Sequence, residues 1–239
     1  RSTLFPYTTL FRSRDVPLQM VSQTWDDHDR SGRYACRDFG VNYLESTQSE
    51  GHPIILTNGD NDTFPLWYNH EVEGIRTDTR DVNMEYLQTD WYIDQMKRPA
   101  YNSPALPISW QHSDYQEGRM EYVPINIDSI TIGNTVISLK DKKGLYKNEL
   151  MVLEMLSQAD WKRPVYMSIS IGPSVLPFLR DHLVLEGLAY RISPTATGKQ
   201  VDIERLYDNI MHRFHYGGLN RKGIYVDEDV KRLANTHQL

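Results

Sequence analysis

The chain of 239 residues contains a single cysteine, Cys36. One cysteine excludes an internal disulfide and a zinc site built from several cysteines. The sequence also lacks an apolar run of about 18 residues, so no membrane-spanning helix is expected in it. Its net charge of −6 argues against nucleic-acid binding, because that function requires clustered basic residues.

Several catalytic motifs are missing as well. The sequence has no Gly-rich dinucleotide fingerprint, no Walker A loop, no nucleophile-elbow serine and no HExxH pair. A nucleotide-dependent enzyme and a serine hydrolase therefore have no local support. What the chain does have is 15 Tyr and 5 Trp, whose amphipathic rings suit packing or contact with carbohydrate.

Neither end of the chain has the pattern of a natural terminus. Residues 1–13 resemble the translation of a sequencing adapter, and we exclude them from the predicted fold. No initiator Met is present, and a helical pattern from Val226 to Leu239 has no Gly or Pro terminator. We expect an α/β domain over residues 14–200, followed over 201–239 by the truncated start of a helical extension.

Residues 53–96 alternate between short apolar runs and amphipathic stretches. The patterns predict strands at 53–57 and 79–84, a helix from 63 to about 73, and a helix capped by Thr89. This order predicts an α/β fold with a three-layer, Rossmann-like, mostly parallel sheet and helices on both faces.

The rest of the chain is less regular. Turn-rich residues 99–147 predict a small β-containing insertion. Beyond it, the patterns predict a helix over 148–159 and strands over 165–171 and 184–192. The clearest amphipathic stripe predicts a helix over 203–214.

The most informative segment is the polar turn after the first strand, formed by Asn58, Asp60, Asn61 and Asp62. The carboxyl ends of parallel strands form the ligand crevice of α/β proteins. The oxygen-rich turn suits a cation or sugar hydroxyls better than a phosphate. In the alternative interpretation, the turn is only structural and Asp62 caps the helix, with Pro65 in its first turn.

A second candidate, Asp90 and Trp91, follows the second predicted strand in the same way. The carboxylate could hydrogen-bond to a sugar while the indole stacks on its ring. In the alternative interpretation, Thr89 caps the helix, Asp90 belongs to its first turn and Trp91 packs in the core.

A possible calcium loop precedes the first helix. Counted from the first of them, oxygen-bearing side chains occupy positions one, three, five and twelve: Asp27, Asp29, Ser31 and Asp38. Gly32 occupies position six, where a calcium loop turns sharply. The alternative is that Ser31 caps a helix over 36–44 and the neighbouring aspartates favour its positive end.

Several long motifs resemble one family of proteins. They occupy residues 25–34, 42–46, 57–68, 71–78, 88–96, 161–164 and 185–191. These motifs are similar to a bacterial family of large multi-pass membrane proteins that are themselves similar to protein O-mannosyltransferases, in the GT-C class of glycosyltransferases. The resemblance covers nearly everything from about residue 15 onwards.

The resemblance implies that a bundle of membrane helices outside this chain carries the active site, so we assign no catalytic residue here. It also implies a bacterial inner-membrane protein whose domain faces the periplasm. The implied partners are the missing transmembrane part of the same chain and a glycan or protein acceptor. The predicted function is assistance in acceptor or glycan recognition.

Two other functions remain open on the sequence. One is a metal-dependent, phosphoesterase-like hydrolase that uses Asp27, His28, Asp60 and Asp62 with a divalent cation. The other is a purely structural or interaction domain in which the polar loops only cap helices.

Overall fold

The computed structural model describes residue 18 and residues 32–172, 174–196, 198 and 200–218. Residues 1–34 and residues 35–239 are separate units of the chain, and all the described strands belong to the second. The predicted adapter segment and the helical pattern of residues 226–239 lie outside the described residues.

The second unit contains both helices and strands, as the sequence predicts. The described α-helices are α1 Ala35–Glu45, α2 Asp60–Tyr68, α3 Asp90–Met96, α4 His112–Tyr115, α5 Lys147–Ala159 and α6 Ile203–Asp208. The strands are β1 Ile54–Thr57, β2 Arg80–Asn83, β3 Tyr122–Pro124, β4 Ser129–Ile132, β5 Thr135–Ser138, β6 Gly144–Tyr146, β7 Val165–Ser168, β8 Leu183–Leu185, β9 Ala189–Ile192 and β10 Gln200–Val201. Two of the helices continue as π-helical turns, Asn69–Glu73 after α2 and Asn209–Arg213 after α6.

The main sheet has six strands in the order β10-β8-β9-β7-β1-β2. Strand β1 pairs in parallel with β2 and β7, whereas β9 is antiparallel to both β7 and β8. The α/β class is confirmed, but the sheet is mixed and the prediction of a mostly parallel sheet is wrong in part. Residues 184–192, predicted as one strand, form the hairpin β8-β9. Its turn contains Gly187 at φ 155°, a conformation that side chains disfavour.

Alternating side chains of β1 belong to two different cores. Ile55 packs with Tyr43 and Leu66, which come from α1 and α2. Ile54 and Leu56 instead belong to a larger cluster that also contains apolar residues of α3 and α5. This separation follows from the pleat of a strand, in which successive side chains point to opposite faces. The Rossmann-like three-layer arrangement itself stays a prediction.

Residues 99–147 contain two small antiparallel sheets, one formed by β3 and β6 and the other by β4 and β5. Ile132 and Ile137, on the β4-β5 hairpin, are buried in the larger core. The predicted domain boundaries at residues 14, 200 and 99–147 stay predictions.

Helix α2 begins three residues earlier than the sequence predicts. Gly59, at φ 75°, leads straight from the end of β1 into the helix, so Asp60 is its first residue and Pro65 lies inside it. Gly74 adopts a left-handed conformation at φ 66° and ends the π-helical turn, so the helical segment ends at residue 73, where the sequence predicts its end.

Helices α1 and α2 approach each other closely at Gly40. A Cβ atom on Gly40 would lie 2.5 Å from the carbonyl oxygen of Pro65 and 2.6 Å from Nδ2 of Asn69. That amide donates hydrogen bonds to the carbonyls of Pro65 and Arg37. The absence of a side chain at Gly40 therefore allows this contact to form.

The predicted helix over 203–214 is present as α6 and its π-helical turn. Part of its apolar stripe is exposed, at Ile203, Tyr207 and Met211. Phe214, by contrast, packs against the smaller core cluster. The helix is also attached through polar contacts, including an ion pair of 3.0 Å between Arg205 and the buried Glu186.

Candidate functional site

The three parallel strands β7, β1 and β2 end in the polar residues Ser168, Thr57 and Asn83, all of which are buried. Parallel alignment places these strand ends at the same edge of the sheet. Buried polar groups at such an edge require hydrogen-bond partners, and those partners determine how the site is arranged.

The side-chain amide of Asn83 is oriented by the backbone that follows it. Its Oδ1 accepts hydrogen bonds from the backbone N–H groups of Glu85 at 2.8 Å and Tyr86 at 3.0 Å. The amide nitrogen therefore points the other way and donates to Oγ1 of Thr63 at 2.9 Å.

A chain of hydroxyl groups continues from Thr63 to Asp81. Thr63 donates to Oγ1 of Thr57 at 2.9 Å, and Thr57 donates to Oδ1 of Asp81 at 2.8 Å. Because the amide nitrogen of Asn83 can only donate to Thr63, the Thr63 and Thr57 hydroxyls each donate their hydrogen bond in the direction of Asp81. Oδ1 of Asp81 is therefore an acceptor, while its Oδ2 is buried without a hydrogen-bond partner.

Burial favours the neutral form of Asp81. It raises the pKa of Asp81 to about 8; the hydrogen bond from Thr57 and the nearby indole N–H of Trp67 oppose this shift, and the negative charge of Asp62 adds to it. Since Oδ1 accepts the hydrogen bond from Thr57, the acid proton resides on Oδ2.

Asp62 turns inward from the first turn of α2 and does not cap the helix. Its Oδ2 accepts hydrogen bonds from Ser168 at 2.9 Å, Ser170 at 2.5 Å and the backbone N–H of Asn58 at 3.2 Å. The capping role predicted for Asp62 is wrong, because β7 supplies serine hydroxyls that the local sequence does not reveal. Burial and the charge of Asp62 together raise the pKa of the nearby Tyr43.

A cleft of about 520 Å³ opens at the outer edge of β2. The end of α2 and its π-helical turn form one wall, α3 forms the other, and residues 98–103 lie across the end. Asp81 and Arg80 both line this cleft, since β2 is the edge strand of the sheet.

A row of aromatic rings borders the cleft. The ring centroids are 5.6 Å apart for Phe64 and Trp67, 6.2 Å for Trp67 and Tyr86, and 6.0 Å for Tyr86 and Trp91. Trp67 and Trp91 line the cleft, and Trp91 is 56% exposed. Exposed indole faces at a concave site are suited to stacking on flat or ring-shaped ligands.

Three buried polar atoms among the residues lining the cleft have no hydrogen-bond partner among the described residues: Oγ1 of Thr79, Oδ2 of Asp81 and Nε2 of His70. Burial lowers the pKa of His70 to about 4, so its imidazole is neutral at neutral pH. Orphaned buried polar groups are costly unless another molecule satisfies them. These atoms are therefore the groups of the cleft lining that a polar ligand could satisfy.

The guanidinium group of Arg80 is already engaged by the protein. It donates to the carbonyls of Arg98 at 3.0 Å and Gln95 at 3.3 Å, and Nε contacts the sulfur of Met96 at 3.4 Å. These carbonyls end α3, where a positive charge is favourable. Arg80 thus acts as a cap for α3 from within the cleft wall.

Residues 98–103, which we call the strap, are held on both sides. Tyr101 donates a hydrogen bond to Glu71, and Asn102 donates to Oγ1 of Thr77 at 3.0 Å, both across the cleft end. On the opposite side, the half-buried Arg163 donates a hydrogen bond from its guanidinium group to the hydroxyl of Ser103 at 3.2 Å. The strap therefore fixes the length of the cleft.

Of the ligand-binding residues predicted from sequence, Trp91 lines the cleft. Asp90 accepts hydrogen bonds from the backbone of Trp91 at 2.7 Å and Glu117 at 3.3 Å. Asp60 and Asn61 are exposed at the start of α2. The roles of Asn58, Asp60, Asn61, Asp62, Asp90 and Trp91 in ligand binding stay predictions.

Most of the predicted calcium loop, Asp27, Asp29 and Ser31, lies outside the described residues, as does His28 of the hydrolase hypothesis. Asp38 is buried in α1 and accepts hydrogen bonds from Gly217 N–H at 2.8 Å and Arg37 at 2.9 Å. Within the described residues, no group of three or more His, Cys, Asp or Glu is arranged to hold a metal ion. The calcium site and the metal-dependent hydrolase stay predictions.

The sequence patterns did not single out Thr79 and Asp81 at the floor of the cleft. One pattern pointed to them: Arg80 and Asp81 are charged residues in the middle of a segment predicted as a strand. Charged residues are rarely buried without a specific reason, and a buried strand that contains two adjacent ones is a candidate site.

Among the described residues, none of the helices combines the length and the apolar character that crossing a bilayer requires. Comparisons with curated proteins and with solved structures gave no match. Residues 36–141 and 127–210, by contrast, match the model of the TMEM260-associated domain 2, and the two overlapping matches together cover most of the chain. This chain therefore belongs to the TMEM260-associated domain 2 family.

Proposed function

We propose that this domain recognises a glycan or a glycosylated acceptor on behalf of a membrane-bound, glycosyltransferase-like protein. TMEM260, with which the family is associated, is a membrane protein and a protein O-mannosyltransferase, and this association supports the proposal. In the proposed arrangement the parent protein resides in a bacterial inner membrane and the domain faces the periplasm. Its partner is the membrane part of the same protein, which carries the catalytic residues.

One observation carries the proposal: aromatic residues, and residues with buried polar groups that lack partners among the described residues, line the same cleft. Trp67 and Trp91 provide apolar surfaces for the faces of sugar rings. Thr79, Asp81 and His70 provide hydrogen-bonding atoms that the protein leaves unused. Pockets for small molecules combine apolar walls with a few convergent polar groups in this way.

The turn at residues 58–62 forms the outer part of the proposed recognition surface. Asp60 and Asn61 are exposed there, and Phe64, which is 48% exposed, begins the aromatic row that leads to Trp91. An acceptor longer than one sugar unit would extend from the cleft along this row towards the turn.

The proposal is tested with the purified chain on an array of neutral and charged glycans and of O-mannosylated peptides. We expect Trp91→Ala to reduce binding at least tenfold, because the variant loses an exposed stacking face. Tyr207→Ala is the matched control, since Tyr207 is similarly exposed, at 60%, but belongs to α6. Equal binding by the wild type and Trp91→Ala, or no binding by the wild type, would overturn the proposal.

A further inference from the structure

The residues at the floor of the cleft, Thr79, Asp81 and His70, each have a buried polar atom that lacks a hydrogen-bond partner among the described residues. Nε2 of His70 has no partner, while the backbone carbonyl of Arg76 interacts with the imidazole. Because a carbonyl attracts the ring proton, that interaction places the proton on Nδ1 and leaves Nε2 as an acceptor. His70 therefore offers a lone pair to the cleft.

Asp81, in contrast to His70, has a hydrogen-bond donor. The hydroxyl chain from Asn83 through Thr63 and Thr57 makes Oδ1 an acceptor, which leaves the proton on Oδ2. Oδ2 has no hydrogen-bond partner among the described residues, and Asp81 lines the cleft, so the neutral carboxyl group would donate to a ligand that reaches it. The hydroxyl of Thr79, also without a partner, can both donate and accept.

We propose that the cleft binds an uncharged sugar ring, whose hydroxyl groups satisfy His70, Thr79 and Asp81, and that it rejects sugars carrying a phosphate, a carboxylate or an ammonium group. This inference rests on the proposed function and names its ligand class. A hydroxyl group is both donor and acceptor, so vicinal hydroxyls on one ring match a floor that alternates between the two roles.

Charged substituents match the floor poorly. A phosphate or carboxylate group only accepts, so it can pair with Asp81 and Thr79 but leaves the lone pair of His70 unsatisfied. An ammonium group only donates, so it can pair with His70 and Thr79 but leaves the acid proton of Asp81 unsatisfied. The guanidinium of Arg80 already donates to the carbonyls at the end of α3. Arg98, the other arginine in the lining, is exposed, so solvent and salt screen its charge.

Thr79→Val tests the inference without disturbing the fold. The Thr79 hydroxyl is buried and makes no hydrogen bond in the protein, so its replacement by a methyl group removes no internal contact. We expect an unchanged or slightly higher stability, since an unsatisfied buried hydroxyl is itself unfavourable. We also expect about tenfold weaker binding of a neutral sugar, as for the loss of one well-formed hydrogen bond. The exposed Thr131→Val is the matched control.

Binding is measured by calorimetry or NMR titration with the full chain. The neutral probes are the methyl α-pyranosides of mannose, glucose and galactose; the charged probes are mannose 6-phosphate, glucuronic acid and glucosamine. Binding of at least one neutral probe, with the charged probes and Thr79→Val each weaker by about tenfold, supports the inference.

Two other outcomes are informative in different ways. Charged probes that bind as tightly as the neutral ones, or a Thr79→Val variant with unchanged affinity, overturn the inference and leave the proposed glycan recognition standing. If no probe of either class binds to the wild type or to Thr131→Val, both the inference and the proposed function are overturned.

Discussion

The hydroxyl of Thr57 donates a hydrogen bond of 2.8 Å to Oδ1 of Asp81, joining the end of β1 to the middle of β2. This contact ends the directional chain that starts at the amide of Asn83. It decides which oxygen of the acid carries the proton, and hence what the cleft offers to a ligand. A buried network of this kind is stable only if each member remains satisfied.

Thr57→Val should therefore destabilise the protein. The variant leaves Oδ1 of Asp81 without a donor and the Thr63 hydroxyl without an acceptor, both in buried positions. We expect the free energy of unfolding to fall by about 1–3 kcal/mol, measured by urea denaturation. Thr131→Val, at an exposed position on β4, should change it by no more than about 0.5 kcal/mol. Equal effects of the two variants would contradict the directional chain.

The pH dependence of stability should reveal the neutral Asp81. Its pKa is raised in the folded state to about 8, so the unfolded chain releases this proton at lower pH than the folded protein does. Its contribution to stability is fully present at acidic pH and is lost as the pH rises towards 8. We expect the free energy of unfolding to decrease between pH 6.5 and pH 8 by up to about 1.4 kcal/mol per pH unit.

Asp81→Asn should flatten that decrease, because an amide accepts the Thr57 hydrogen bond and does not ionise. Thermal unfolding at pH 6.5, 7.2 and 8 provides the comparison, with the exposed Asp60→Asn as control. A wild-type protein whose stability is constant over this interval would show that Asp81 is ionised.

The buried His70 has the opposite dependence. Burial lowers the pKa of His70 in the folded protein to about 4. On acidification the unfolded chain therefore binds this proton first, near the ordinary pKa of histidine. The stability contributed by neutral His70 is present above about pH 6.5 and is lost as the pH falls towards 4. We expect His70→Gln to reduce this acid-induced loss in urea unfolding at pH 4.5 to 6.5, whereas the exposed His212→Gln should not. Parallel pH curves for all three proteins would argue against a buried neutral imidazole.

Glu186 connects the β8-β9 hairpin to α6. The carboxylate accepts hydrogen bonds from Arg191 at 2.5 Å and Tyr166 at 3.0 Å, and it pairs with Arg205 at 3.0 Å. Glu186→Gln removes the negative charge while keeping the shape, so two partly buried arginines lose their counter-ion. We expect a loss of roughly 2–3 kcal/mol in denaturant unfolding. The exposed Glu204→Gln, within α6, should be nearly neutral; a similarly small effect at Glu186 would mean that the ion pairs do not stabilise the fold.

Gly40→Ala should be destabilising even though alanine is the better helix former. The new Cβ would lie 2.5 Å from the backbone oxygen of Pro65, which cannot move without separating α1 from α2. We expect a net loss of about 1–3 kcal/mol in thermal or urea unfolding. Ser157→Ala, on an exposed face of α5, serves as the control and should be neutral or slightly stabilising. An increase in stability for Gly40→Ala would show that the helices do not pack this closely.

Local patterns in the sequence were enough to predict much of the secondary structure. The strand at β1, the helix after it, its end at Gly74 and the helix α5 follow from apolar spacing and turn residues that lie within a few positions of each other. The position of the polar turn directly after β1 was also predicted, whereas its role in ligand binding stays a prediction. These features depend on short-range chemistry, which the sequence displays directly.

Other features depended on residues far apart in the chain. The role of Asp62 differs from the predicted helix cap because Ser168 and Ser170, more than 100 positions away in the chain, donate hydrogen bonds to it. Residues 184–192 have the sequence pattern of one strand, but they form the antiparallel hairpin β8-β9, which makes the sheet mixed. Trp67 and Trp91 share a cleft only because β2 is the edge strand and lies next to β1.

The sequence alone thus determined the α/β character, the positions of the main helices and the resemblance to a membrane glycosyltransferase-like family. Only the tertiary structure decided which polar groups are buried together, which atoms of Asp81 and His70 remain without partners, and where a cleft opens. The physical reason is that burial and hydrogen-bond direction depend on neighbours across strands. Thr57 and Asp81 are 24 positions apart in the chain and meet only when the sheet has formed.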